Sequence, residues 1–181
     1  MRGRGGWLWL ALAAFVVVAG CGPHGPHVSV GKLADLPTPL PEPYDSTATP
    51  AAVDARIDAA LAQAGREHKR VIVDFGGNWC SWCRMLAGVM DLPEVKPFIA
   101  ANFVVMPVEV APAEGKTDRN PQVLRRFGVT SVEGVPWLVV AEPDGKVVVS
   151  SDAVTDDAHH TPQTMVDWLA QWAPKPVARQ S

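Results

Sequence analysis

The sequence predicts an α/β fold in which a central mixed β-sheet is flanked by helices. Three observations carry that prediction. Residues 71–75 form an apolar run broken only by Asp74 and ended by Gly76-Gly77. An amphipathic stretch precedes the run, and a Cys80-x-x-Cys83 pair opens another just after it. Two later apolar runs flank Pro143-Asp144-Gly145, a hairpin turn signal. A continuous apolar strand between helices reads as a buried parallel strand, and the hairpin adds an antiparallel pair.

Taken in order, Thr49 is a helix cap with Pro50 at the first helical position. Val53, Ile57, Ala60, Leu61 and Ala64 share one helical face, and this helix ends around Gly65–Lys69. The strand at 71–75 follows, then a helix from Cys80 to about Met90. Leu92-Pro93 interrupts it, and a second helical piece reaches Ala101. Phe103–Val110 is a second strand, 111–121 a polar loop and 122–127 a short helix. Residues 136–141 and 146–150 form the hairpin, and a last amphipathic helix carries Met165, Trp168, Leu169 and Trp172.

The chain of 181 residues holds more than this one domain. Arg2 and Arg4 precede 13 apolar residues, Trp7 to Ala19, which end in Val18-Ala-Gly-Cys21. A positive start, a short apolar core and small residues at the cut make residues 1–20 a secretory signal. The apolar stretch is too short to span a bilayer comfortably. Val-Ala-Gly-Cys resembles the bacterial lipobox, which implies a lipid on Cys21 and a membrane anchor; an ordinary signal peptide is the alternative. Gly22 replaces the aspartate that resembles an inner-membrane retention signal, so the expected location is the cell envelope, facing the periplasm, with the outer membrane preferred. Residues 22–50 hold seven prolines, and the segment 21–48 is expected to be a semi-rigid tether holding the domain, residues 49–175, off the membrane. Residues 176–181 are expected to be a disordered tail.

Loss of residues 1–20 removes two arginines and no acids, taking the formal charge from −3 to −5. No basic patch points to nucleic acid, which is excluded as a partner. With Cys21 assigned to lipid, Cys80 and Cys83 are the remaining thiols, and a pair two residues apart makes no structural framework. A helix N-terminus presents unpaired N–H groups and partial positive charge, which favour a thiolate. Cys80, in the first turn and expected to be exposed, is the attacking thiol; Cys83, one turn on, resolves the mixed disulfide. The alternative is half a zinc site, but His24, His27, His159 and His160 lie at no spacing that points to the pair, and no metal is expected. Asp74 is costly to bury without a partner, and burial raises its pKa. Strand alternation alone leaves open whether it faces the site, solvent or a helix cap.

The run Val73-Asp74-Phe75, Gly76-Gly77-Asn78, Trp79-Cys80-Ser81-Trp82-Cys83-Arg84 resembles the active-site segment of thioredoxin. Gly134-Val135-Pro136 before an apolar strand is similar to the family's cis-proline loop. The resemblance covers roughly residues 51–173 and implies a thioredoxin-like fold whose first strand is missing or hidden in the linker. Ser81-Trp82 departs from the Gly-Pro of thioredoxin itself and looks closer to envelope thioredoxin-like lipoproteins and reductase domains, so a redox potential does not carry over. The resemblance implies that Asp74 is the general base for Cys83. It also implies a cis bond at Pro136 that turns the Val135 backbone toward the cysteines, and a Trp79 that packs beside them. Trp82 contacts the partner protein or lies over the pocket. Arg84 either holds the Cys80 thiolate or is solvated. The implied function is an envelope thiol–disulfide oxidoreductase that reduces protein disulfides, fed by a membrane thiol donor. It would act as a monomer with no cofactor beyond its own cysteine pair. The alternative is a binding module on the same scaffold that uses the cysteines as metal ligands or as a switch.

Overall fold

The computed structural model describes residues 24–110, 119–132, 134–152, 154 and 160–175. The expected signal segment with Cys21, residues 111–118, His159 and the expected tail 176–181 lie outside the described residues. The elements run α1 (Pro50–Glu67), β1 (Arg70–Gly76), α2 (Ser81–Met90), α3 (Lys96–Asn102), β2 (Phe103–Glu109), α4 (Pro121–Arg126), β3 (Trp137–Ala141), β4 (Val147–Ser151) and α5 (Pro162–Gln171).

Among the described residues, four strands make one mixed sheet in the order β2-β1-β3-β4. β1 pairs with β2 in parallel, while β1 with β3 and β3 with β4 are antiparallel. β1 is central, which is why its apolar run is continuous: both of its faces are covered. Side chains alternate across a strand. Val71, Val73 and Phe75 pack with Val53, Ile57, Ala60, Leu61 and Ala64 of α1 on one side. Ile72 points the other way, into a core with Leu86 and Val89 of α2 and Met165 and Leu169 of α5. Full burial of each such side chain contributes about 1.5–3 kcal/mol.

Local signals explain the helix starts. Thr49 caps α1 by accepting from the Ala52 N–H at 3.3 Å, and Thr161 caps α5 in a reciprocal box with Thr164. His68, in the left-handed region at φ 56°, closes α1 where a glycine would be usual.

The amino-terminal segment corrects an expectation. Residues 24–48 do not stand away from the domain as a spacer; they lie along it as a strap. Val28, Leu33, Leu36 and Tyr44 are buried, the first three in the core shared by α2 and α5. The Gly25 N–H donates to Asp167 Oδ1 at 2.9 Å and the Val28 N–H to Gln163 Oε1 at 2.8 Å, tying the strap to α5. The prolines keep the segment extended, while Val28, Leu33, Leu36 and Tyr44, spaced among them, supply the apolar surface that holds it down. Burial of that surface outweighs the ordering of a chain that proline has already stiffened.

Candidate active site

The site forms where β1 ends. Gly76 and Gly77 turn the chain, and Cys80 becomes the N-cap of α2. Cys80 and Cys83 form a disulfide, with Cα atoms 5.3 Å apart. The Cys83 N–H donates to Cys80 Sγ at 3.1 Å, so a free amide of the helix start points at this sulfur. The two sulfurs are unequal in access. Cys83 is fully buried and Cys80 is 7% exposed. Cys80 is therefore the outer of the two but is not the exposed thiol that its place in the sequence suggests.

Val135-Pro136 is a cis peptide, and the Val135 carbonyl oxygen lies 3.6 Å from Cys80 Sγ. The loop before β3 thus meets the start of α2. Two indoles flank the pair: Trp79 is 40% and Trp82 38% exposed, the large apolar side chains left open to solvent among the described residues. Trp79 folds back over Gly77, where a Cβ would run into its ring. Trp82 leans on His160, with ring centroids 5.2 Å apart. Trp79, Trp82, Val135 and Pro136 are thus gathered around the cysteines.

Asp74 shares the strand face of Ile72 and points beneath α2, which settles its direction: it is fully buried. Its Oδ2 accepts from the Tyr44 hydroxyl at 2.7 Å. Its Oδ1 has no hydrogen-bond partner among the described residues. Burial pushes the Asp74 carboxyl up to about 7, while the Tyr44 hydrogen bond pulls the other way. Burial, and then the Asp74 charge, drive Tyr44 far above an ordinary phenol, so it stays protonated and donates. Asp74 also lines a cavity of about 430 Å³ beneath α2, with Pro41 and Pro43 of the strap and Ile99 of α3.

Tyr44 is the functional residue that sequence reasoning missed. It packs against Cys80 and Cys83, and a Cβ on Gly76 would lie 2.6 Å from its hydroxyl and 2.8 Å from Cys83 Sγ. Asn78 and Arg84 hold the strap in place. Asn78 pairs with the Tyr44 backbone. Arg84 donates to the Leu40 and Pro41 carbonyls at 3.0 and 3.2 Å and pairs with Glu42. Arg84 therefore serves the strap. The available signal was that Tyr44 is the chain's single tyrosine, set among prolines.

A bonded Cys-x-x-Cys pair at a helix start, backed by a buried carboxyl and faced by a proline loop, defines a thiol–disulfide oxidoreductase. Comparison with known proteins narrows this. The thioredoxin-like domain family matches residues 57–152, just over half of the chain, and the chain belongs to that family. It is 34% identical to thioredoxin 1 of Nostoc sp. over 84 residues, 46% of this chain and 67% of that protein. It is 35% identical to a thioredoxin of Alicyclobacillus acidocaldarius over 83 residues, 46% of this chain and 68% of that protein. In structure it is similar to the disulphide isomerase of Xylella fastidiosa Temecula1, with a TM-score of 0.62 and 29% identity across 73% of this chain and 97% of that one.

Proposed function

We propose that this protein reduces protein disulfides in the bacterial cell envelope. The Cys80 thiolate attacks a substrate disulfide. A Cys80–substrate disulfide forms, and the first substrate sulfur leaves as thiolate. Cys83 gives its proton to Asp74 and attacks Cys80 Sγ. The second substrate thiolate leaves, and the Cys80–Cys83 disulfide remains. Two electrons pass to the substrate, and a thiol donor in the membrane restores the dithiol. Trp79 and Trp82 offer apolar contact beside Cys80, and the Val135 backbone offers pairing to an extended substrate chain.

The observation that carries the reading is the buried Asp74 behind the cysteine pair, held near pH 7 by desolvation. A base with that affinity suits proton transfer from a thiol at neutral pH. Its negative charge also disfavours thiolates beside it, which destabilises the reduced pair and favours electron donation. Arg84, the nearest cation in sequence, donates to strap carbonyls and pairs with the carboxylate of Glu42.

The anchor is Cys21, lipidated after removal of residues 1–20, with the outer membrane's periplasmic face as the location. The docked strap changes what that anchor does. Gly25 is already fixed on α5, and the four steps from Cys21 to Gly25 reach about 14 Å at most. The domain would ride close to the membrane. The test is to equilibrate residues 22–181 with glutathione buffers and trap the thiols. A potential near thioredoxin's, about −270 mV, supports a reductant; one near about −120 mV makes the protein an oxidant and overturns the direction.

A further inference from the structure

The strap brings a tyrosine to the carboxylate that the proposed reaction uses. Tyr44 is 3% exposed, and its hydroxyl is 2.7 Å from Asp74 Oδ2. Its backbone is fixed on both sides by the Asn78 side chain, at 3.1 and 2.8 Å, so the ring has little freedom to leave. Its hydroxyl and Cys83 Sγ both crowd the position that a Cβ on Gly76 would take, at 2.6 and 2.8 Å from it. No other described group satisfies Asp74: Oδ1 is buried and bare. Opposite Asp74 in the sheet stand Pro107 of β2 and Leu138 of β3, neither of which carries charge. Cys83, once reduced, faces the site from α2. Across the cavity, Asp91 and Lys96 pair with each other.

We propose that Tyr44 is a positioning residue for Asp74: its hydroxyl fixes Oδ2 and leaves Oδ1 as the atom that accepts the Cys83 proton. The segment that reads as a tether thus completes the active site. A donor that stays protonated stabilises the carboxylate over the acid, so Tyr44 holds the base charged at a lower pH than burial alone allows. The inference rests on Asp74 acting as base for Cys83, and its test separates the two.

Because Tyr44 is the only tyrosine, fluorotyrosine supplied during expression changes this hydroxyl alone. A more acidic phenol donates a stronger hydrogen bond, and Tyr44→Phe donates none while keeping the ring. The full mature chain is prepared in both forms. The Asp74 carboxyl is titrated by carbon NMR, assigned with Asp74→Asn, and the pH profile of mixed-disulfide resolution is recorded. A hydrogen bond to a charged group shifts a titration by about one pH unit or more. In Tyr44→Phe the Asp74 midpoint should rise by about one unit and the profile should move with it; fluorotyrosine should lower both. If the midpoint stays put in both forms, the inference is overturned. If Asp74→Asn leaves the pH profile intact, Asp74 is not the base, and the proton-accepting role assigned to Oδ1 falls with it. A midpoint that still moves in opposite directions would then retain the hydroxyl as the group that fixes Oδ2. Should Tyr44→Phe fail to fold, the fluorotyrosine shift alone decides.

Discussion

Asn78 and Tyr44 are paired in both directions: the Tyr44 N–H donates to Asn78 Oδ1 at 3.1 Å, and Asn78 Nδ2 donates to the Tyr44 carbonyl at 2.8 Å. A side chain of the active-site turn thereby imitates a strand partner for a segment 34 residues earlier. Removal of both bonds in Asn78→Ala should destabilise the domain by about 1–3 kcal/mol, because the Tyr44 backbone groups are partly buried. It should also loosen the strap ahead of the rest. Hydrogen exchange would show faster exchange at the Tyr44 amide with the β1 amides still protected; equal loss across the sheet would mean that the strap is not a separate unit.

The strap should be part of the folding unit. Removing residues 24–48 exposes the surfaces that cover Val28, Leu33, Leu36 and Tyr44. At about 1.5–3 kcal/mol for each, less the entropy of ordering the segment, the loss is on the order of several kcal/mol. Urea unfolding of residues 49–181 against residues 22–181 measures it. The shorter chain should unfold at lower urea and with a smaller slope, since less surface is hidden. Equal midpoints would return the segment to the role of a spacer.

That boundary marks the limit of what the sequence made legible. From α1 to α5 the elements could be read because helical and strand periods alternate and Thr49, Gly76-Gly77 and Pro143-Asp144-Gly145 punctuate them. The chemistry at Cys80 and Cys83 was visible because strand, turn and helix sit in one continuous run. The strap was hidden because it has no period: its apolar residues reach the core without forming a helix or strand beyond a single turn at Leu33–Asp35. Proline content describes stiffness and is silent about docking. The Tyr44–Asp74 contact joins residues 30 apart, and nothing local in either segment announces it. The strap contacts of Arg84 are illegible for the same reason, since its partners at 40–42 come from that segment.

The cysteines should separate by role. Cys80→Ser should abolish disulfide reduction, because Cys83 is fully buried and cannot meet a substrate. Cys83→Ser should retain the first step and accumulate a covalent mixed disulfide with substrate. Mass spectrometry of envelope extracts alkylated at low pH would show the adduct on Cys80 in Cys83→Ser alone. Adducts on Cys83 in Cys80→Ser would reverse the assignment.

Gly76 should resist even the smallest side chain. A Cβ there would come within 2.6 Å of the Tyr44 hydroxyl and 2.8 Å of Cys83 Sγ, closer than real contacts allow. Neither neighbour moves freely, one held by Asp74 and the other in the helix. Gly76→Ala should destabilise the protein by about 1–3 kcal/mol, as overpacking does. Thermal unfolding measures the loss. Combining it with Tyr44→Phe, which removes the nearest atom, should recover part of it; strict additivity of the two losses would place the clash elsewhere.

Asp74 makes stability depend on pH. Its pKa rises from 3.8 toward about 7 on folding, so the folded state binds the proton more tightly than the unfolded one. The stabilisation from that proton is present in full below 3.8 and is lost as pH rises through about 7. A shift of this size corresponds to about 4 kcal/mol, an order-of-magnitude figure for a fully buried group. Asp74→Asn has the shape of the acid and never ionises. It should therefore stabilise the oxidised protein at pH 8 by a few kcal/mol, and by much less at pH 4. Urea unfolding at the two pH values gives the difference directly. A variant that gains equally at both would show that Asp74 is charged at neither or both, and that its burial does not raise its proton affinity.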